Sequence, residues 1–231
     1  HEVYGMTENT AVATGNRPRR IRLGTVGEVH EGVELRIDEL TGEIQTRHAG
    51  TFMGYWRKPE DTAAVLDSDG WLHTGDVGAW VEGTHVKITD RMKDIIITAG
   101  GKNISPSQIE NELKASPYVR EAIVVGDGRR YLCALIGIEL DTVGEWAQRR
   151  RLGYSTYRDL SEKPEVIELV GEVVKDVNDR FSTVEQVKEF RLLPKELDHE
   201  DGELTATQKV KRSAIAKSFG ATVDEMYTGA R

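Results

Sequence analysis

The sequence contains 231 residues, which is the length of one or two domains. Its 31 basic and 39 acidic residues give a net charge of −8, so a nucleic-acid-binding surface is not expected. With 38% hydrophobic residues, the composition is that of a globular chain and excludes intrinsic disorder. No apolar run approaches the roughly 18 residues of a membrane span, which excludes a transmembrane segment and leaves a peripheral membrane contact open.

The single cysteine bears on the cellular compartment of the chain, and the first residues bear on whether a longer polypeptide is expected. Cys133 cannot form an internal disulfide, and its apolar neighbours predict a buried thiol in a reducing, cytoplasmic compartment. The chain begins at His1 and shows no secretory signal. A dense motif starts as early as Tyr4, so we expect the chain to be a piece of a longer polypeptide.

Residues 1–91 show the alternating pattern of short β-strands. Turns such as Asp69-Gly70 separate these strands. A short helix is expected from Pro59, because Glu60 and Asp61 favour the positive N-terminal end of a helix. The predicted strands cover residues 33–37, 43–46, 71–74 and 85–88. These features predict a β-rich unit.

After residue 91 the pattern changes to mixed helices and strands. Ser105 is the expected N-cap of a helix, with Pro106 at the first position and Gln108 completing a capping box. A long amphipathic helix is predicted where apolar residues recur every three to four positions between Val166 and Phe181. Strands at 121–125, 131–139 and 187–193 and a helix from about Lys211 complete the set. The predicted fold class is α+β, with domains at residues 1–91 and 92–231.

Two segments of the first domain carry side chains suited to a nucleotide. Tyr4-Gly5-Met6-Thr7-Glu8 combines an aromatic ring for a nucleobase, a hydroxyl for a phosphate oxygen and a carboxylate for Mg²⁺. Thr74-Gly75-Asp76 offers a carboxylate that can accept hydrogen bonds from both hydroxyls of a ribose. Either segment alone is equally typical of an ordinary turn.

Three further segments carry charge or glycine at the domain boundary and beyond it. Asp90-Arg91-Met92-Lys93-Asp94 is a charged junction of the kind expected at an interdomain hinge. The Gly100-Gly101 pair allows a backbone to approach a ligand closely. Lys209 lies on a polar stretch near the end of the chain and can reach a developing phosphoryl charge. Taken singly, these segments are more simply interpreted as surface loops and a solvated tail.

The order and spacing of these segments resemble the adenylate-forming acyl-CoA synthetase family of AMP-binding enzymes, and most closely its long-chain fatty acid–CoA ligases. The resemblance extends from residue 2 to about residue 212. It implies that residues 1–91 are the β-rich remnant of a large adenylation domain, and that residues 92–231 are a small mobile α+β domain with its hinge at Lys93. The family's phosphate loop and most of its acyl tunnel lie upstream, so the chain would be a C-terminal portion, inactive alone.

The resemblance also implies a role for each motif residue that would contact the nucleotide. These residues are Tyr4 and Gly5 at the adenine, Thr7 at the α-phosphate, Glu8 at Mg²⁺, and Asp76 and Arg91 at the ribose.

In the second domain, the resemblance implies that Gly100 and Gly101 border the pantetheine channel and that Lys209 is the catalytic lysine. Two positions depart from the more general family pattern. Gln208 stands where Gly is usual, and His73 stands where Tyr or a similar residue is usual. The change at Gln208 raises the question of how the loop around Lys209 is shaped.

The activity implied by the resemblance is fatty acid activation in two steps, with fatty acid, ATP and CoA as substrates and Mg²⁺ as the metal. ATP and the acid would form acyl-adenylate and pyrophosphate, and CoA would then displace AMP. Two alternatives stay open. The chain could belong to an adenylating domain that passes its acyl group to a carrier protein or a hydroxyl, or it could be an inert or nucleotide-binding module.

Overall fold

The structure, a computed structural model, describes residues 1–228 and divides into two compact units. The first unit runs from His1 to Ile95, and the second begins at Ile96. Strands dominate the first unit, whereas the second combines a small sheet with helices. The predicted α+β class is confirmed.

The first unit is built on one antiparallel sheet. Its strands are β1 (Val3–Tyr4), β2 (Thr14–Gly15), β3 (Glu28–Val29), β4 (Glu34–Ile37), β5 (Glu43–Arg47), β6 (Leu72–Val81) and β7 (His85–Arg91), and helix α1 (Pro59–Ala63) lies between β5 and β6. They pair in the order β1-β2-β3-β7-β6-β5-β4. Every second residue of β6 from Leu72 to Gly78 is buried, which places Thr74 and Asp76 on the inner face.

The second unit contains a hairpin, a three-stranded sheet and five helices within the part of it that the structure describes. Its elements are β8 (Ile96–Ile97), β9 (Asn103–Ile104), α2 (Pro106–Lys114), β10 (Val119–Val125), β11 (Leu132–Ile138), α3 (Leu140–Arg149), α4 (Tyr157–Ser161), α5 (Pro164–Asn178), β12 (Val187–Leu192) and α6 (Arg212–Thr228). In the three-stranded sheet, β11 pairs antiparallel with β10 and parallel with β12. None of the helices described up to Thr228 is long and apolar enough to cross a membrane.

Strand β11 is the centre of the second unit because all of its residues are buried. Leu132, Ala134 and Ile136 belong to one hydrophobic cluster, which α2, α3 and α5 complete. Cys133 and Leu135 belong to a second cluster, which α6 completes. Helices therefore cover both faces of the sheet, which explains why this strand is continuously apolar in sequence. The predicted burial of Cys133 is confirmed, and that burial raises the pKa of its thiol.

Three details differ from the sequence-based expectation. Helices α3 and α4 were not predicted, although Leu140, Val143 and Ala147 of α3 recur at helical spacing. The side chain of Ser105 makes no capping hydrogen bond to α2, so the expected capping box with Gln108 is wrong. Helix α5 ends at Asn178, and Phe181 packs against the core from beyond the helix.

We expect Ile136→Ala to lower the free energy of unfolding by about 2–5 kcal/mol, because it leaves a cavity at a fully buried position of the central strand. Urea unfolding of the 231-residue chain, followed by circular dichroism, measures this loss. Ile167→Ala on the exposed side of α5 is the matched control and should have a much smaller effect. Equal losses in the two variants would contradict the assignment of β11 as the core strand.

Candidate functional site

The carboxylate of Asp76 is the centre of the site in the first unit. Asp76 lies directly opposite Arg91 in the β6–β7 pair, and Arg91 Nε is 2.7 Å from Asp76 Oδ1. The hydroxyl of Tyr4, on β1, donates to Asp76 Oδ2 at 2.7 Å. Asp76 is only 4% exposed, so both of its oxygens are held by donors from two other strands. The structure thus brings together three of the predicted nucleotide-binding residues.

Tyr4 is itself buried, and burial is the main reason that the pKa of its hydroxyl is raised well above the usual value. The hydroxyl therefore stays protonated and acts as a permanent donor to Asp76. This second role of Tyr4 was not predicted, because the motif suggested only a ring for the adenine. Gly5 follows Tyr4 and has its Cα against the backbone of Ala11, so even a methyl group would clash there.

Hydrogen bonds to strand β5 fix the Thr74-Gly75-Asp76 segment in place. Gly75 has a φ of +69°, a conformation that favours glycine, and its amide donates to Glu43 Oε1 at 3.0 Å. The Thr74 hydroxyl donates to the carbonyl of Ile44 at 2.6 Å. Glu43 also contacts His73 Nδ1 at 2.7 Å, so the residue that replaces the usual Tyr joins the support of this segment.

Glu8 lies in a short 3-10 helix, Thr7–Asn9, that follows Tyr4-Gly5-Met6. Its Oε1 accepts a hydrogen bond from the Tyr55 hydroxyl at 2.6 Å, and its carbonyl accepts one from the amide of Phe52 at 2.8 Å. The hydrogen bond to Glu8 raises the pKa of Tyr55. The neighbouring Thr7 is exposed, so its hydroxyl is open to a ligand.

A magnesium ion in the first unit would take Glu8 as its ligand from the chain, with the other ligands supplied from outside it. Within residues 1–228, no group of three or more His, Cys, Asp or Glu side chains is placed to hold a metal. A lone carboxylate such as that of Glu8 is the kind of ligand that Mg²⁺ uses when substrate phosphates and waters supply the other oxygens.

Lys93 lies in a 3-10 turn, Met92–Asp94, at the end of the first unit. Its side chain is exposed. The turn follows β7 directly, so Arg91, the last residue of β7, and Lys93 are separated by a single residue. Its role as a pivot remains a prediction.

Gly100 and Gly101 form the turn between β8 and β9 in the second unit. Gly101 has a φ of +74°, and its amide donates to the carbonyl of Thr98 at 2.8 Å. A Cβ added at Gly101 would meet no atom within 4 Å, so the turn presents open backbone surface to a ligand. That this turn borders the pantetheine channel stays a prediction.

Lys209 lies on the exposed loop between β12 and α6. The loop closes on itself: the Lys209 amide donates to Thr205 Oγ1 at 3.0 Å, and the Thr205 amide donates to the Lys209 carbonyl at 2.8 Å. Gln208 has a φ of +61°, a left-handed conformation that favours glycine, which is the residue that the general family pattern has at this position. Within the described residues, the Lys209 ammonium makes no hydrogen bond or ion pair.

Comparisons with known proteins agree with the motif pattern. A protein of Mycobacterium tuberculosis named as fatty-acid–CoA ligase FadD11 is 42% identical over 98% of this chain and 39% of its own length. The long-chain-fatty-acid–CoA ligase FadD15 of Mycobacterium bovis is 37% identical over 98% of this chain and 38% of its own length. The chain therefore spans about two fifths of the length of these relatives.

Among solved structures, the adenylation domain of a Mycobacterium chelonae carboxylate reductase is 25% identical, with a TM-score of 0.68. The match covers 87% of this chain and 31% of that one. The family model of the AMP-binding enzyme C-terminal domain matches residues 93–231. The resemblance that the motifs indicated is confirmed, and the chain belongs to the family of AMP-binding enzymes.

Proposed function

We propose that this chain is the C-terminal part of an ATP-dependent fatty acid–CoA ligase, which produces acyl-CoA, AMP and pyrophosphate. The observation that carries the proposal is the buried Asp76 carboxylate held between Tyr4 and Arg91. A ribose needs an acceptor that is already fixed in place, and Asp76 supplies one. The relatives named as fatty-acid–CoA ligases support the acyl substrate and the use of CoA.

In the first step, a carboxylate oxygen of the fatty acid attacks the α-phosphorus of ATP and the bond to pyrophosphate breaks. Lys209 stabilises the negative charge that develops on the carboxylate and α-phosphate oxygens. The Thr7 hydroxyl donates to the α-phosphate, and Tyr4 with Gly5 contacts the adenine. Glu8 would hold Mg²⁺, which neutralises phosphate charge when bound.

In the second step, the CoA thiol attacks the acyl carbonyl carbon of the adenylate and AMP leaves. The second unit turns about Lys93, which withdraws Lys209 and brings Gly100 and Gly101 to the pantetheine arm. Two observations support this exchange of roles: the side chain of Lys209 is exposed, and the space beside the Cα of Gly101 is open.

The second candidate is an adenylating domain that delivers its acyl group to a carrier protein. The similarity to a carboxylate reductase adenylation domain favours it. The two candidates differ in what consumes the acyl-adenylate of the longer protein. Addition of CoA should clear the adenylate if the ligase proposal is correct, whereas an adenylate that persists until a carrier is supplied would favour the second candidate.

We expect Lys209→Ala to slow acyl-adenylate formation by about a hundredfold or more in the longer protein, because it removes a cation from the developing charge. Pyrophosphate exchange measures this step, and thioester formation from supplied acyl-adenylate measures the other. The second rate should change little. Lys217→Ala, on the exposed side of α6, is the control. Equal loss in both half-reactions would count against the assigned role.

We expect Asp76→Asn to raise the KM for ATP by about ten- to a hundredfold, because charge-assisted hydrogen bonds to the ribose and Arg91 are lost. Tyr4→Phe deletes one donor to Asp76 and should move KM in the same direction by less. Asp69→Asn in an exposed turn is the control. Circular dichroism of each variant separates altered binding from unfolding, and an unchanged KM in folded Asp76→Asn would refute the ribose role.

We expect the 231-residue chain alone to give no saturable heat when AMP is titrated into it, because the phosphate loop of the family is not among its residues. The longer protein should bind AMP under the same conditions. Tight AMP binding by the chain alone would instead support an autonomous nucleotide-binding module and contradict the expected incompleteness of the site.

A further inference from the structure

The loop that carries Lys209 is held at its upstream side by a buried glutamate. Glu203 is only 2% exposed, and its Oε2 lies 3.0 Å from Lys195 Nζ and accepts a hydrogen bond from the Asp198 amide at 3.2 Å. The Glu203 carbonyl accepts a hydrogen bond from the Lys211 amide at 2.8 Å. This hydrogen bond joins the part of the loop that precedes Lys209 to the part that follows it.

The downstream side of the same loop is held by an ion pair. Arg212, the first residue of α6, comes three residues after Lys209. Its guanidinium donates to Glu110 Oε1 at 2.7 Å and to the Val124 carbonyl at 3.1 Å. Glu110 Oε1 also accepts a hydrogen bond from the Val124 amide at 2.8 Å. One side chain from α2 and one from α6 thus form hydrogen bonds with the backbone of the same residue of β10, Val124.

The energetic weight of this arrangement comes from the burial of Glu110, which is 9% exposed. A buried carboxylate that loses its cation is strongly unfavourable, so Glu110 keeps Arg212 in a single position. A guanidinium can donate to two acceptors at once in a fixed geometry, which an ammonium cannot do in the same way. The start of α6, and with it the end of the Lys209 loop, is fixed to α2 and β10.

We infer that Arg212, held by Glu110, is a positioning residue that sets the reach of Lys209 during acyl-adenylate formation. The inference rests on the proposed function of Lys209. An ammonium must lie within hydrogen-bond distance of the α-phosphate and carboxylate oxygens, and a displacement of about 1 Å can cost up to a hundredfold in rate. The loop itself is exposed and tied mainly by its own backbone, so its direction depends on its two fixed ends.

The test compares Arg212→Ala with a control variant that removes another arginine paired with a glutamate of α2. Arg180→Ala breaks a guanidinium–carboxylate pair with Glu112, which is also on α2 and whose side chain is 44% exposed. In the 231-residue chain, amide exchange of residues 204–211 should become faster in Arg212→Ala and stay unchanged in Arg180→Ala. This readout requires no catalytic activity.

In the longer protein, Arg212→Ala should reduce the kcat of pyrophosphate exchange by about 10–100-fold and leave the KM for ATP unchanged. Thioester formation from supplied acyl-adenylate should be unaffected, which a general loss of structure would not allow. Arg212→Lys should restore part of the rate. The double variant Glu110→Gln/Arg212→Ala should be no slower than Arg212→Ala, because the two side chains act as one unit.

Unchanged exchange of residues 204–211 in Arg212→Ala would overturn the positioning role by itself. A parallel fall of both half-reactions, or an equal effect of Arg180→Ala, would also overturn it. If the unsubstituted longer protein forms no acyl-adenylate from any fatty acid, the ligase proposal fails and this role fails with it, whatever the loop exchange shows.

Discussion

A carboxylate that is removed from water must be paired or hydrogen-bonded, and this constraint determines the surroundings of three buried acids, Asp76, Glu110 and Glu203. Asp76 is satisfied by Tyr4 and Arg91, and Glu110 by Arg212 and the Val124 amide. Glu203 is satisfied by Lys195 and a backbone amide. An unpaired charge in any of these places would cost several kcal/mol, so each carboxylate dictates where its partners stand.

The buried acids have different proposed roles in the two units. In the first unit, the acid is itself the proposed ligand, and the partners of Asp76 hold it ready for a ribose. In the second unit, the acids hold the ends of the loop that carries Lys209, and the Lys209 ammonium makes no hydrogen bond or ion pair within the described residues. A side chain that must enter and leave a reaction centre needs a fixed backbone and a charged end without structural partners. The loop of Lys209 combines fixed ends with such an ammonium.

Regular patterns in the sequence predicted the long elements of the fold. Alternation predicted only the first part of β6 and of β7, at residues 71–74 and 85–88, whereas the strands extend to Val81 and Arg91. The predicted strand at 131–139 corresponds to β11. Helix α3 was missed although its apolar residues recur at helical spacing, whereas strands of two residues are too short to show a period. The motif order predicted a shared site for Tyr4, Asp76 and Arg91, and the structure brings these three side chains into contact. The individual hydrogen bonds could not be predicted, because Tyr4 and Asp76 are 72 residues apart and Glu110 and Arg212 are 102 apart.

The hydrogen bonds of Glu110 and Arg212 to Val124 affect how readily the sheet of the second unit can pair with another molecule. β10 is an outer strand of its three-stranded sheet, and an outer strand with unpaired backbone groups can recruit strands from other molecules. At Val124 both the amide and the carbonyl are already occupied, by Glu110 and Arg212. The same two side chains that fix the loop therefore also block one site at which a second copy could add a strand, and so protect the sheet against aggregation.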